Sequence, residues 1–418
     1  MWKDTTVNMK NAKLYGDGIH DDASAIQALL DSGISCVDLP APSGHYAIGT
    51  TLHLHSGQTL RLAPTTVIRL LPGSSCKMLD NDPNEKESHD IGLIGGIWDM
   101  DNLNQSPNPL HPEWAAEYKY PFKPWIGTDP GRYKPDGYLG AAIELQHITR
   151  LHIQDVSVRN PVTYSFHCCC LDHFTVENIR FIYDADIPHH INMDGFHLDG
   201  GSRFGVIRNL QGAAHDDLLA LNADDCINGP LENIEVDGIF AENCKSAVRL
   251  LSRGSLVDKI SISNVYATSY GFGIGFTNDG YDPSQHKCGK FGRISLQNIF
   301  LSCGKPVPDY WGQAGVPVFI FDGCMEIDFL SIENFHRIES FKPLPTFNIA
   351  KDVHIGTLAF SNHSMQNTTG QHIPFIENEG IIDRLTAQNV LIRETTPISG
   401  KGTIGSFHSD ELSRNLLL

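Results

Sequence analysis

Val176-Glu177-Asn178-Ile179, Ile207-Arg208-Asn209-Leu210, Ile262-Ser263-Asn264-Val265, Leu296-Gln297-Asn298-Ile299 and Ile332-Glu333-Asn334-Phe335 repeat one short phrase, in which a β-branched or aliphatic residue, a polar one and Asn precede another apolar residue. Variants stand at Ile153-Gln154-Asp155-Val156, Glu235-Val236-Asp237-Gly238 and Ala387-Gln388-Asn389-Val390. From Asp155 to Asn389 the polar positions are 23, 31, 28, 27, 34, 36 and 55 residues apart, so the last gap is expected to hide one more copy, near Ile355-Gly356-Thr357-Leu358. A unit of this length cannot bury its apolar face alone and does so by stacking on its neighbours. Short strand-like phrases with Gly and Asn between them, and almost no helical periodicity, predict an all-β fold. We expect a single-stranded right-handed parallel β-helix of roughly ten coils, one domain over residues 1–418. The repeated Asn is expected to stack as a ladder at one corner, satisfying turn backbone and side-chain amides together. A doubly wound α/β fold is disfavoured, because no regular amphipathic helices fill the intervals.

One helix is expected. Asp21-Asp22-Ala23-Ser24-Ala25-Ile26-Gln27-Ala28-Leu29-Leu30 opens with capping aspartates, puts Ile26, Leu29 and Leu30 on one face, and ends by Gly33. Within residues 1–50 it would cap the first coil, which otherwise exposes core and strand edge. A second interruption, residues 101–140, is rich in Pro and aromatic residues, including Trp114, Tyr118, Tyr120, Phe122, Trp125, Tyr133 and Tyr138. Such long loops are often functional, and rings such as Trp125 are expected to stack on sugar faces near a groove, or alternatively to pack on the coil or an oligomer partner.

The net charge of −18 and the lack of a basic stripe argue against a nucleic-acid partner. No apolar run approaches the ~18 residues that span a membrane, and the Met1-Trp2-Lys3-Asp4 start lacks a secretory core. The expectation is therefore a cytoplasmic protein, or a secreted one whose signal has been removed. The ten cysteines show neither zinc-type spacing nor a disulfide rhythm, and Cys168, Cys169 and Cys170 fit a buried strand. No metal and no cofactor is expected on these grounds. Side-by-side association into a homo-oligomer is compatible with a β-helix.

Chemistry concentrates between Asn192 and Asp225. Asp194 precedes the Asp216-Asp217 pair by 216 − 194 = 22 residues, close to one coil. Adjacent coils lie roughly 4.8 Å apart, so the three carboxylates are expected to cluster. Clustered carboxylates separate their pKa values, leaving one acid to donate a proton and another to activate water, as glycosidic cleavage requires. An aspartate at a turn also bonds local backbone, and that alternative holds for each one singly. Asn192, His197, His215, Asn222, Asp224 and Asp225 crowd the same window as candidate substrate-binding groups, with Arg249 and Arg253 the nearest basic residues after it.

Tyr15-Gly16-Asp17-Gly18-Ile19-His20-Asp21-Asp22 resembles the N-terminal signature of pectate-lyase-like β-helix proteins, and Gly95-Gly96-Ile97-Trp98-Asp99, Asn160-Pro161 and Asn192-Met193-Asp194-Gly195 resemble, in order, the polygalacturonase-like glycoside hydrolases. The resemblance covers about residues 15–280. It implies an inverting hydrolase in which Asp216 donates the proton while Asp194 and Asp217 activate water, with carboxyls about 6.5–9.5 Å apart. Asp216→Asn would then abolish turnover without loss of stability. The family's Gly-His-Gly falls at Lys245-Ser246-Ala247 and its Arg-Ile-Lys near Gly273-Ile274-Gly275-Phe276, so the basic pair that holds a galacturonate is absent. A neutral sugar is implied, or recognition through Arg249, with His197 or His215 in place of the missing histidine. Asp224-Asp225-Cys226 also resembles the family's Asp-Asp-Cys phrase. The alternatives are a lyase whose aspartates, Asp194, Asp216, Asp217 and Asp225, hold a divalent cation, a fructan transferase, and a non-catalytic tailspike-like module.

Overall fold

In the computed structural model the repeated phrases become coils. The structure describes residues 13–121, 128–129, 132–133, 138–278, 282, 287–304, 316–393, 395–411 and 413. Twelve successive parallel pairings join thirteen strands in one column, from Cys36–Asp38 to Thr403–Ser409, somewhat more than the ten coils expected. The fold is a right-handed parallel β-helix.

The phrases set the register. Ile153, Val176, Ile207, Val236, Ile262, Leu296, Ile332, Phe360 and Ala387 pair in a single inward line. A facing line runs through Phe166, Phe196, Leu219, Val248, Ile274, Phe319, Phe347 and Ile376. Together they make one continuous buried core. Because strand side chains alternate, the residues between them point out of the coil, and any outward column is addressed by the same register.

The ladder is present. Asn178, Asn209, Asn264, Asn298, Asn334, Asn362 and Asn389 all have φ between 52° and 59°, the left-handed corner that Asn tolerates. Their amides chain from coil to coil, as in Asn298 Nδ2 to Asn264 Oδ1 at 3.0 Å and Asn334 Nδ2 to Asn298 Oδ1 at 2.9 Å. The hidden copy exists, but its corner is Asn362, later on the same strand than Ile355 to Leu358. At the 237–238 coil the corner residue is Gly238, and Asp237 reaches Asn264 instead, at 2.6 Å. Asn298→Ala is expected to cost about 2–3 kcal/mol, from two lost hydrogen bonds and an Ala held in the left-handed region. Asn298→Gly should cost less. Equal melting temperatures for the two variants would show that backbone conformation contributes nothing.

The helix spans Ala23–Leu30 and buries Ile26, Leu29 and Leu30, as expected. Its start is two residues later than Asp21, because Asp22 turns away to accept from the Tyr15 and Gly16 amides while Asp21 accepts from Ala23 N. Cys168 and Cys169 are buried. The cysteines differ from expectation in two respects, since Cys170 is only half-buried and Cys288 and Cys324, each just before one of two paired strands, form a disulfide with Cα atoms 4.8 Å apart. Their spacing of 36 residues is a coil length, which a search for compact disulfide patterns does not register. Among the described residues no helix is long and apolar enough to cross a membrane.

Candidate active site

The register that aligns Phe196 with Leu219 also sets Asp194 beside Asp217, and Gly195 N donates to Asp217 O at 2.9 Å. One oxygen from each of Asp194, Asp216 and Asp217 lies within 4.8 Å of the others. The three acids are thus brought together, as the spacing predicted. These closest oxygens set a lower bound on the group separations, beneath the range of about 6.5–9.5 Å associated with inversion.

Each acid has different partners. Asp216 accepts from Asn192 N through Oδ2 at 2.6 Å and from Lys245 Nζ through Oδ1 at 2.5 Å, so both its oxygens are engaged. Asp194 accepts from His197 Nδ1 at 2.6 Å and from Asp217 N at 3.3 Å. Asp217 accepts from the Ser246 hydroxyl through Oδ1, while its Oδ2 makes no hydrogen bond among the described residues and lies 3.6 Å from Arg249. Burial pushes Asp217 up to about 7, and the charges of Asp216 and Asp194 push in the same sense against Lys245 and Arg249. Burial also raises Asp194, with Asp216 adding to it and His197 opposing. Burial works against the Lys245 ammonium, but Asp216 and Asp217 outweigh it and hold the ammonium charged to higher pH. All three acids are nearly inaccessible, at 3%, 4% and 0% exposure. A substrate therefore reaches them only by displacing what lies on them, Lys245 and the Asn192 segment first.

Lys245 corrects one expectation. The buried ion pair means that Asp216→Asn strands an ammonium, so stability cannot be indifferent to it. In the sequence this position shows only that the family's histidine is missing; in the structure it holds a cation against Asp216. Ser246 escapes sequence reasoning too, and it pairs with Asp217 in the ladder.

The other candidates divide. His197 joins the acids. His215 does not, since its Nδ1 faces Pro188 O at 2.8 Å and its ring lies between His189 and Tyr183. Burial pushes it down to about 3, with His189 adding, so it is held neutral. Arg249 reaches Asp217 and Thr277, whereas Arg253 serves the Asp224 turn. Asp224 accepts from Arg253 N at 2.8 Å and Ser255 N at 2.7 Å, which is the turn role. Asp225 lies 3.8 Å from His197 Nε2 and accepts from Asn222 Nδ2 at 3.1 Å. Asn192 bridges the site and the insertion, because Asn108 Nδ2 donates to its Oδ1 at 3.3 Å. The Trp114 ring stacks on His190 at 3.9 Å, tying the 101–140 segment to the loop beside the acids. Trp125 lies outside the described residues.

These stacked columns are the architecture of a right-handed parallel β-helix, and similar solved structures agree in fold. Among solved structures the chain is similar to the Family 28 exopolygalacturonase of Yersinia enterocolitica, with TM-score 0.64 and 13% identity over 95% of this chain and 77% of that one. It is also similar to the endo-xylogalacturonan hydrolase of Aspergillus tubingensis, with TM-score 0.54 and 14% identity over 94% and 99% of the two chains. The surface adhesin PfbA of Streptococcus pneumoniae matches with TM-score 0.52 and 13% identity over 95% and 90%. At these identities the likeness is one of fold. No family model and no curated protein matches the sequence.

Proposed function

We propose that the chain is a carbohydrate-active enzyme, a glycoside hydrolase cleaving a poly- or oligosaccharide by direct attack of water. The observation that carries this is the asymmetry of the three acids, which gather on neighbouring coils yet have unlike environments. Burial raises Asp217 to about 7, Lys245 neutralises Asp216, and His197 faces Asp194. In this reading substrate draws Lys245 off Asp216, the proton held by the Asp216-Asp217 pair passes to the leaving oxygen, and Asp194 helps deprotonate the attacking water. Arg249, beside Asp217, is the group best placed to meet a substrate carboxylate or hydroxyl. The hold of the insertion on Asn192 and His190 favours a closed-ended site and attack at chain ends.

The test is hydrolysis of defined galacturonides and neutral oligosaccharides by the wild type, with the product anomer followed by NMR. An inverted sugar released by the wild type and not by Asp216→Asn is the expected result. An unsaturated product lost on adding chelator would replace hydrolysis with lyase chemistry. A second reading, a non-catalytic carbohydrate-binding module, is favoured by the near-complete burial of the acids. Binding without turnover across the panel would select it.

A further inference from the structure

His167 and His197 stand in one outward column on adjacent coils, and Asp199 follows two residues along the second strand. All three are buried. His167 Nε2 lies 2.9 Å from Asp199 Oδ2 and His197 Nε2 lies 3.4 Å from Asp199 Oδ1. One ligand atom from each is within 4.8 Å of the other two. The opposite ring nitrogens also face carboxylates, His197 Nδ1 that of Asp194 at 2.6 Å and His167 Nδ1 that of Glu144 at 3.4 Å.

The Asp194 carboxylate hydrogen-bonded to His197 Nδ1 is the arrangement found behind metal-bound histidines, and Glu144 lies on the same side of His167 at the longer distance of 3.4 Å, so a bound ion would take the Nε2 lone pair of each ring. The two Nε2 atoms converge on Asp199, whose oxygens also accept from the Cys226 and Ile227 amides at 3.3 and 3.2 Å, and a neutral Nε2 against that carboxylate is repulsive unless positive charge lies between them. Two protons would supply it, one on each Nε2. A single divalent cation supplies the same charge and coordinates all three groups at once.

An independent feature points to the cation. Asn222 pairs in register with Asp199 on the next coil, is wholly buried, and its Oδ1 has no hydrogen-bond partner among the described residues. A buried amide oxygen in that state is costly, and an oxygen ligand to a cation beside Asp199 would satisfy it. Access is short, since Asp225, at the rim and 27% exposed in its side chain, lies 3.8 Å from His197 Nε2.

We propose that His167, His197 and Asp199, with the Asn222 amide oxygen, form a site for a divalent first-row transition ion, zinc by ligand preference. The site is independent of the hydrolase reading, though the ion would hold His197 Nδ1–H on Asp194 and so position that acid.

The experiment uses the full chain, stripped with chelator and titrated with zinc chloride by calorimetry, with metal content measured by mass spectrometry. One zinc per chain and a rise in melting temperature are expected, and cobalt in its place should give visible d–d bands. His167→Gln should weaken zinc at least about tenfold, while His354→Gln, an exposed histidine paired with Asp383 on a later coil, should not. If His167→Gln fails to fold, zinc titration of His55→Gln decides, since unchanged affinity there excludes the His55, Asp82 and Glu85 group and lost affinity overturns the proposal. No stoichiometric uptake by the wild type would overturn the proposal in favour of two protons. Equal zinc affinity in a folded His167→Gln would also overturn it, moving the ion to another group such as His55, Asp82 and Glu85.

Discussion

Asp216→Asn is expected to abolish hydrolysis and to lower stability together, and the addition of Lys245→Met is expected to restore stability without restoring activity. Asp216 and Lys245 are 6% and 10% exposed in their side chains, and their oxygen and nitrogen are 2.5 Å apart. Removing one partner of a buried pair leaves the other as an uncompensated charge, at a cost of about 3–5 kcal/mol. Replacing both with groups of similar volume is close to neutral, because the desolvation of two charges disappears with their attraction. Activity follows a different rule. Loss of a proton-transferring group costs about 10²–10⁴-fold whatever becomes of the fold. Thermal melts and initial rates on the two single variants and the double one separate these effects. Full stability in Asp216→Asn alone would mean that Lys245 has another buried counter-charge, with Asp217 the first to examine. Asp224→Asn serves as the control, since Asp224 accepts only backbone amides at a turn and should change the rate little.

Local order carried most of the fold into view. The Asn phrases were legible because each specifies a corner twice over, by the left-handed φ that Asn tolerates and by the apolar residue that flanks it inward. The same regularity made the meeting of Asp194 with Asp217 legible, because 217 − 194 = 23 residues is one coil when no long loop intervenes. Lys245 was not legible in this way. It lies 245 − 216 = 29 residues after Asp216, a coil lengthened by the turn through Asp224 and Asn228, and no local pattern marks a lysine that falls beside a carboxylate on the next coil. His215 misled for the opposite reason. Adjacency in sequence to Asp216 suggested a shared site, but neighbouring residues point to different sides, and its ring went to Tyr183 and His189. His167 was hidden, unlike Asp199 in the crowded window, because outward columns have no apolar signature of their own. They become visible only once the inward register is fixed, after which His167 and His197 fall opposite each other.

Asp217→Asn is expected to flatten the pH dependence of stability while removing activity. The folded pKa of Asp217, about 7, lies above the ordinary 3.8, so between those values the native state holds a proton that the unfolded chain releases. Wild-type stability contributed by this group is complete below about pH 4, declines as the pH rises toward 7, and is gone above it. Its full size is of the order of a few kcal/mol, because a tenfold change in proton affinity corresponds to about 1.4 kcal/mol and the group is wholly buried. An asparagine cannot ionise, yet it keeps an oxygen for the Ser246 hydroxyl. The variant should therefore gain melting temperature relative to wild type at pH 8 and lose that advantage at pH 5. Asp194 and His197, whose pKa values are also raised, impose a decline of the same sign, and because Asp194 and Asp217 interact the difference between the two proteins reports the coupled pair. Arg249 loses a counter-ion only at the pH where Asp217 is ionised, so its effect is already contained in the wild-type value. Melting curves for both proteins from pH 4 to 9 make the comparison. Parallel curves would show that Asp217 is ionised throughout and that any resting proton lies on another member of the cluster.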